Sequence, residues 1–305
     1  KIIKNKFKQI KNYLKKINHT RLSFNRHTNK IMSEFNMVGS APKMRNLISQ
    51  IVTQNQLESP EHKYWCKKIK EKPRYHRKQW EYTYILQALY EKGLLKQGKK
   101  GLGFGVGREP LPAVMASYGC EVTASDMDQS QAKTKGWVDT NQHATDLAQL
   151  NDRKICGNKQ FNKFVKYKVI DMNDIPNNLT GFDFIWSSCS LEHLGSIELG
   201  LKFIQNSLKC LKKGGIAVHT TEFNLSSNTD TLDNQKTVLF RKKDIELLAK
   251  QLTSNGHKIT LNFNSGDNFL DKYIDLPPYS SNKHLRLSIM NYISTSIGLI
   301  IKKSK

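Results

Sequence analysis

The chain has 305 residues, 38% of them hydrophobic, and a formal net charge of +23 from 49 Lys and Arg against 26 Asp and Glu. That length and apolar content allow one large α/β domain with extensions, or two small domains. No run of about 18 apolar residues occurs, so no membrane-spanning segment is expected.

The positive charge has two readings. One is a polyanionic partner, such as nucleic acid, an acidic glycan or an anionic membrane surface. The other is coding bias, because the excess is mostly Lys in a chain also rich in Asn and Ile. The five cysteines, at 66, 120, 156, 189 and 210, form no C-x-x-C pair. That pattern predicts reduced thiols in a cytoplasmic protein and no metal site.

Residues 1–33 contain no acidic side chain, and Ile3, Phe7, Ile10, Leu14 and Ile17 recur at steps of three and four. The spacing predicts a basic amphipathic helix, or a disordered tail, with residues 1–20 able to touch an anionic membrane peripherally. The chain begins with Lys, and Met32 is the expected alternative start. Residues 34–95 read as a helical cap. "MRNLISQIVTQNQ" and "WEYTYILQALYEKG" are its predicted helices, the second stopped by Gly93.

From residue 96 the rhythm is strand, helix, strand. "GLGFG", "EVTASD", "YKVIDM", "FDFIWSS", "IAVHTTEF", "KITLNFN" and "SIGLIIKK" are the predicted strands. "EPLPAVMASYG", "IELGLKFIQNSLKCLKKGG" and "KKDIELLAKQLTSNG" are predicted helices between them. Gly119 and Gly215 are read as helix stops. Alternation of this kind predicts α/β architecture: a doubly wound, mostly parallel, seven-stranded Rossmann-like sheet with an N-terminal helical cap. Ligands of such sheets sit at the carboxyl ends of strands, where the strand order switches. The glycine turn "GLGFGVG" after the first strand marks that place. It lacks the G-x-G-x-x-G spacing of dinucleotide binders, since the third position falls on Val106 or Arg108.

The blocks "GLGFGVG", "VTASD", "VIDMNDIP", "FDFIWSSCSLEHL" and "LKCLKKGGIAVHTTEF", in this order, resemble a class I S-adenosylmethionine-dependent methyltransferase over roughly 96–250. The resemblance implies that Gly103, Gly105 and Gly107, with Phe104, bring backbone to the methionine and ribose of S-adenosylmethionine. It further implies Asp126, with Met127, at the ribose hydroxyls, and Asp171 and Met172 at the adenine. Ser187 and Ser188 would floor the pocket. The product would be S-adenosylhomocysteine. Many relatives carry an acid where this chain has Gly101, so backbone contact or Glu109 is expected to compensate.

A hydroxyl acceptor needs a base. "LEHL" supplies Glu192 and His193, and "HTTEFN" supplies Glu222, with His219 read as structural. Lys272, His284 and Arg286, between the last two strands, are candidate anchors for an acidic acceptor group. The chain is also similar to bacterial methyltransferases linked with surface-glycan assembly. That likeness gives no acceptor atom; a hydroxyl on a sugar or glycan precursor is the favoured acceptor. An RNA methyltransferase and a non-catalytic scaffold of the same fold remain the alternatives.

Overall fold

In the computed structural model, residues 35–304 are described, apart from 135, 137–141 and 145. The tail expected at 1–33, and its membrane contact, lie outside the described residues. The strands are β1 Asn36–Met37, β2 Ser49–Ile51, β3 Tyr75–His76, β4 Lys100–Phe104, β5 Glu121–Asp126, β6 Val165–Val169, β7 Phe182–Ser188, β8 Leu211–Asn224, β9 Lys258–Asn262, β10 Lys283–His284, β11 Leu287–Ile289 and β12 Tyr292–Lys302.

The central sheet runs β6-β5-β4-β7-β8-β12-β9. Strands β6 to β8 are parallel along this path, and β12 is antiparallel to both of its neighbours. The seven-stranded doubly wound sheet expected from the sequence is therefore the fold. The chain steps outward from β4 through β5 to β6, then returns on the other side of β4 with β7 and β8. The order reverses between β4 and β7, and a crevice forms there at the strands' carboxyl ends.

Residues 35–95 depart from the purely helical expectation. "MRNLISQIVTQNQ" gives strand β2, which pairs with β9 and β12, and only Gln54–Glu58 is helical. Pairing of a buried segment with β9 and β12 outweighs local helical spacing here. Strand β1 extends the sheet beyond β9, and β11 pairs with β12, so the sheet reaches ten strands. The helix Arg77–Glu91 follows the expectation. It is capped by His76, whose side chain accepts from Lys78 N–H, and Gly93 follows it at φ +67°. It lies against β12, where Gly298 leaves room for the Tyr84 ring, and the Tyr84 hydroxyl donates to the Ile48 carbonyl at 2.7 Å.

Two apolar cores flank the sheet. One gathers Trp65, Trp80, Tyr84, Val114, Phe184 and Trp186. The other gathers Leu102, Phe104, Ile185, Phe203, Leu248 and Leu299. Strand β4 shows how the two faces differ. Leu102 and Phe104 fill one core, while Gly101 and Gly103 leave the other face bare. In the parallel register Gly101 stands opposite Phe184, and Gly103 opposite Trp186. A Cβ at either glycine would overlap the facing ring. The first two glycines of the alternating stretch therefore make room for aromatics of β7, each of which contributes roughly 1.5–3 kcal/mol by burial.

Gly215 is part of β8, and its missing Cβ would press on the carbonyls of Asp183 and Lys212, so it stops no helix. Gly119 does end its helix, at φ +80°. All five cysteines are buried free thiols. Among the described residues no helix is long and apolar enough to cross a membrane.

Candidate active site

The crevice has a volume of about 690 Å³. Gly105 and Gly107 form its lip, with φ of +57° and +49°. A methyl group at Gly105 would lie 2.7 Å from Ser190 Cβ, and one at Gly107 would overlap the Gln142 carbonyl. The turn therefore requires glycine twice over, for conformation and for space.

Asp126, at the end of β5, faces the same space and is 7% exposed. Its Oδ2 accepts Gly107 N–H and its Oδ1 accepts Met127 N–H, both at 2.8 Å. One carboxylate thus holds the glycine turn and still lines the crevice. Burial raises its pKa, opposed by those two N–H donors and by His143, whose Nδ1 lies 3.5 Å away. Asp171 and Met172, just beyond β6, line the opposite part, with Met127, Ile170 and Asn173. Asp171 Oδ1 accepts the Asn173 N–H at 2.8 Å.

Several expected cofactor residues are elsewhere. Gly103 faces Trp186 and not the crevice. Phe104 is wholly buried, edge-on to Phe203 at 5.2 Å. Ser187 is also wholly buried, its Oγ 2.8 Å from His219 Nδ1. Strand alternation turns the Phe104 and Ser187 side chains inward, while the next residue, Ser188, reaches the crevice.

Glu109 lines the crevice from the chain following the glycine turn. It is 4% exposed, and its Oε1 accepts the Trp186 indole N–H at 2.5 Å. Burial pushes its pKa well above the carboxylate range. Glu109, expected to compensate for the acid absent at Gly101, thus faces the crevice.

Of the candidate bases, only His193 reaches the crevice. Its Nδ1 donates to the Lys236 carbonyl at 2.9 Å, which assigns the lone pair to Nε2. Glu222 is instead locked in the sheet. It pairs with Arg77 and accepts the Ser294 hydroxyl at 2.5 Å. Although burial works against its charge, Arg77 and Lys78 hold its pKa below the usual range. Glu192 is fully buried, taking the Thr221 hydroxyl at 3.0 Å on Oε2 while Oε1 has no partner. Neither carboxylate lines the crevice. Cys189, Glu192 and Glu222 bring ligand-type atoms within 4.8 Å of one another. Arg77 already neutralises Glu222, however, so the cluster is better satisfied as an ion-pair network than by a cation.

The expected acceptor anchors also lie outside the crevice. Arg286 is 1% exposed and donates to Thr295 Oγ1, the Val52 carbonyl and the Ser265 carbonyl, at 2.5, 2.9 and 2.7 Å. It stitches three segments of chain together. His284 accompanies β10, stacked on His76 at 4.5 Å with its Nδ1 2.8 Å from Asp275 Oδ2. Lys272 is exposed on the short helix Phe269–Lys272. Lys78 and Tyr82, on the helix Arg77–Glu91, also reach the crevice.

The profile of the methyltransferase domain family matches residues 75–259. No curated protein matches the chain in sequence. Among solved structures, the chain is similar to TehB from Haemophilus influenzae, at 16% identity and TM-score 0.47, covering 80% of this chain and 67% of that one. It is similar to a phosphoethanolamine N-methyltransferase 2 from Haemonchus contortus, at 17% identity and TM-score 0.45, covering 82% and 57%. A structure described as a sarcosine dimethylglycine methyltransferase, from Galdieria sulphuraria, matches at 21% identity and TM-score 0.35, covering 48% of this chain. The chain spans 46% of that protein's length. Likenesses of this size support no argument about substrate.

Proposed function

Because the chain belongs to the methyltransferase domain family, we propose that it transfers a methyl group from S-adenosylmethionine to a nucleophilic atom of a small acceptor held in this crevice. One observation carries the reading. A glycine turn that tolerates no Cβ and the Asp126 carboxylate tied to it by Gly107 N–H open on one cavity. Residues of this kind fit a cofactor that needs close backbone approach and a hydroxyl-binding carboxylate.

In this reading Gly105 and Gly107 hold the methionine and ribose part, Asp126 with Met127 the ribose hydroxyls, and Asp171 and Met172 the adenine. Ser188 forms the floor. Glu109 takes the amino-acid ammonium, a cation that would return its raised pKa toward normal. The bound cofactor supplies an electrophilic methyl on a sulfonium, whose departure needs no further activation. The protein's work is then positioning and exclusion of water. Tyr82, Ile170 and Leu194 supply apolar wall. His193 takes the proton of a hydroxyl acceptor on Nε2, while the Lys236 carbonyl fixes the ring through Nδ1.

A hydroxyl of a sugar or glycan precursor is the narrower reading, supported by the resemblance in sequence. The test is methyl transfer from labelled S-adenosylmethionine to nucleotide sugars, small hydroxyl acceptors and total RNA. Label in a sugar supports the narrower reading. Label in RNA replaces it with the RNA alternative. S-adenosylhomocysteine binding with no transfer to any acceptor favours the scaffold.

A further inference from the structure

Four basic side chains line the crevice among the described residues: Lys78, Arg108, His143 and His193. Arg108 is paired with Asp152, His143 faces Asp126, and His193 is bound to the Lys236 carbonyl. Lys78 differs. Its ammonium has no hydrogen bond and no ion pair among the described residues.

The helix Arg77–Glu91 explains this. Arg77 and Glu81, four residues apart, turn into the sheet. The Glu81 carboxylate accepts Ser296 Oγ at 2.6 Å and Thr220 Oγ1 at 2.9 Å, with Arg77 at 3.5 Å. Lys78 and Tyr82, the adjacent pair, turn into the crevice. The carboxylate nearest in sequence to Lys78 is therefore already satisfied. Burial opposes the charge of Lys78, yet the Glu81 and Glu192 carboxylates nearby favour it and raise its pKa. A cation in a partly desolvated site with no hydrogen-bonded partner of its own is costly unless a ligand completes it. Glu109, Asp126 and Asp171 also line the crevice.

We propose that Lys78 is the anion-recognition residue of the crevice and pairs with a carboxylate or phosphate group of the molecule bound there. The inference rests on the methyltransferase reading and deepens it. Two sources share this chemistry: the amino-acid carboxylate of the cofactor, and an acidic group on the acceptor.

Calorimetry on wild type, Lys78→Met and Lys78→Arg separates them, with near-UV circular dichroism confirming the fold of each. The ligands are S-adenosylhomocysteine, 5′-methylthioadenosine (which lacks the amino-acid carboxylate) and inorganic phosphate added to the S-adenosylhomocysteine complex. At least about tenfold weaker S-adenosylhomocysteine binding in Lys78→Met, with 5′-methylthioadenosine unchanged and Lys78→Arg restoring affinity, assigns the cofactor carboxylate. Unchanged S-adenosylhomocysteine binding, with a phosphate response lost only in Lys78→Met, assigns an acidic acceptor. Equal weakening of both nucleosides, or no change in any ligand, overturns the proposal. A folded wild type that ignores S-adenosylhomocysteine overturns the underlying reading instead, and phosphate binding alone then decides Lys78.

Discussion

Trp186 donates its indole N–H to Glu109 at 2.5 Å, and its ring occupies the space that Gly103 leaves on the neighbouring strand. One aromatic side chain thus connects a glycine of β4 to the acid that lines the crevice. The glycine stretch has two functions in sequence. Gly101 and Gly103 seat Phe184 and Trp186, and Gly105 and Gly107 shape the lip.

That division predicts different phenotypes. Gly103→Ala forces Trp186 aside and costs about 1–3 kcal/mol of stability by overpacking. Gly107→Ala weakens S-adenosylhomocysteine binding by more than its loss of stability accounts for. Urea denaturation and calorimetry on both variants check this. Equal binding losses relative to stability would merge the two roles.

Glu109 predicts a pH signature. Burial raises its folded pKa above the ordinary 4.5 of the unfolded chain. Stability from this group is full below the unfolded value and is lost as pH rises through the folded one. Denaturation midpoints between pH 5 and 8 should therefore improve in Glu109→Gln relative to wild type as pH rises. Parallel curves would show that Glu109 is not titrating in that interval.

Arg77 predicts a folding cost and not a catalytic one. Its pairing with Glu222 is buried, so Arg77→Met leaves an uncompensated carboxylate and should cost about 3–5 kcal/mol. The double variant Arg77→Met with Glu222→Gln should recover much of it. A double-mutant cycle by denaturation checks the coupling, and additive losses would contradict it.

His193 predicts a loss confined to the chemical step. His193→Asn should lower kcat about 10²–10⁴-fold on a hydroxyl acceptor and leave S-adenosylhomocysteine binding intact. Retained kcat would remove it as base.

The sheet was legible because each strand carried its own punctuation. "EVTASD" is β5 to the residue, and "FDFIWSS" is β7 to the residue. Asp126, Asp171, Met172 and the last two glycines of the turn line the crevice because they sit at or just past strand ends, which the sequence marks. Gly103, Phe104 and Ser187 do not line the crevice: alternation turns Phe104 and Ser187 inward, and Gly103 seats Trp186. Strand β2 was hidden because its partners, β9 and β12, lie some 200 residues on. Arg286 and Glu222 looked like site residues because a charge on the sequence does not reveal a buried partner. Lys78 and Tyr82 were passed over because nothing local distinguishes a helix face turned to a cavity from one turned to water.

The most direct test of the account is calorimetric titration of the wild type with S-adenosylhomocysteine, beside Asp126→Ala. The account predicts saturable one-to-one binding by the wild type, and at least about tenfold weaker binding by a folded variant that has lost both the ribose acceptor and the clamp on Gly107. No binding by folded wild type, or equal binding by the two proteins, would contradict it.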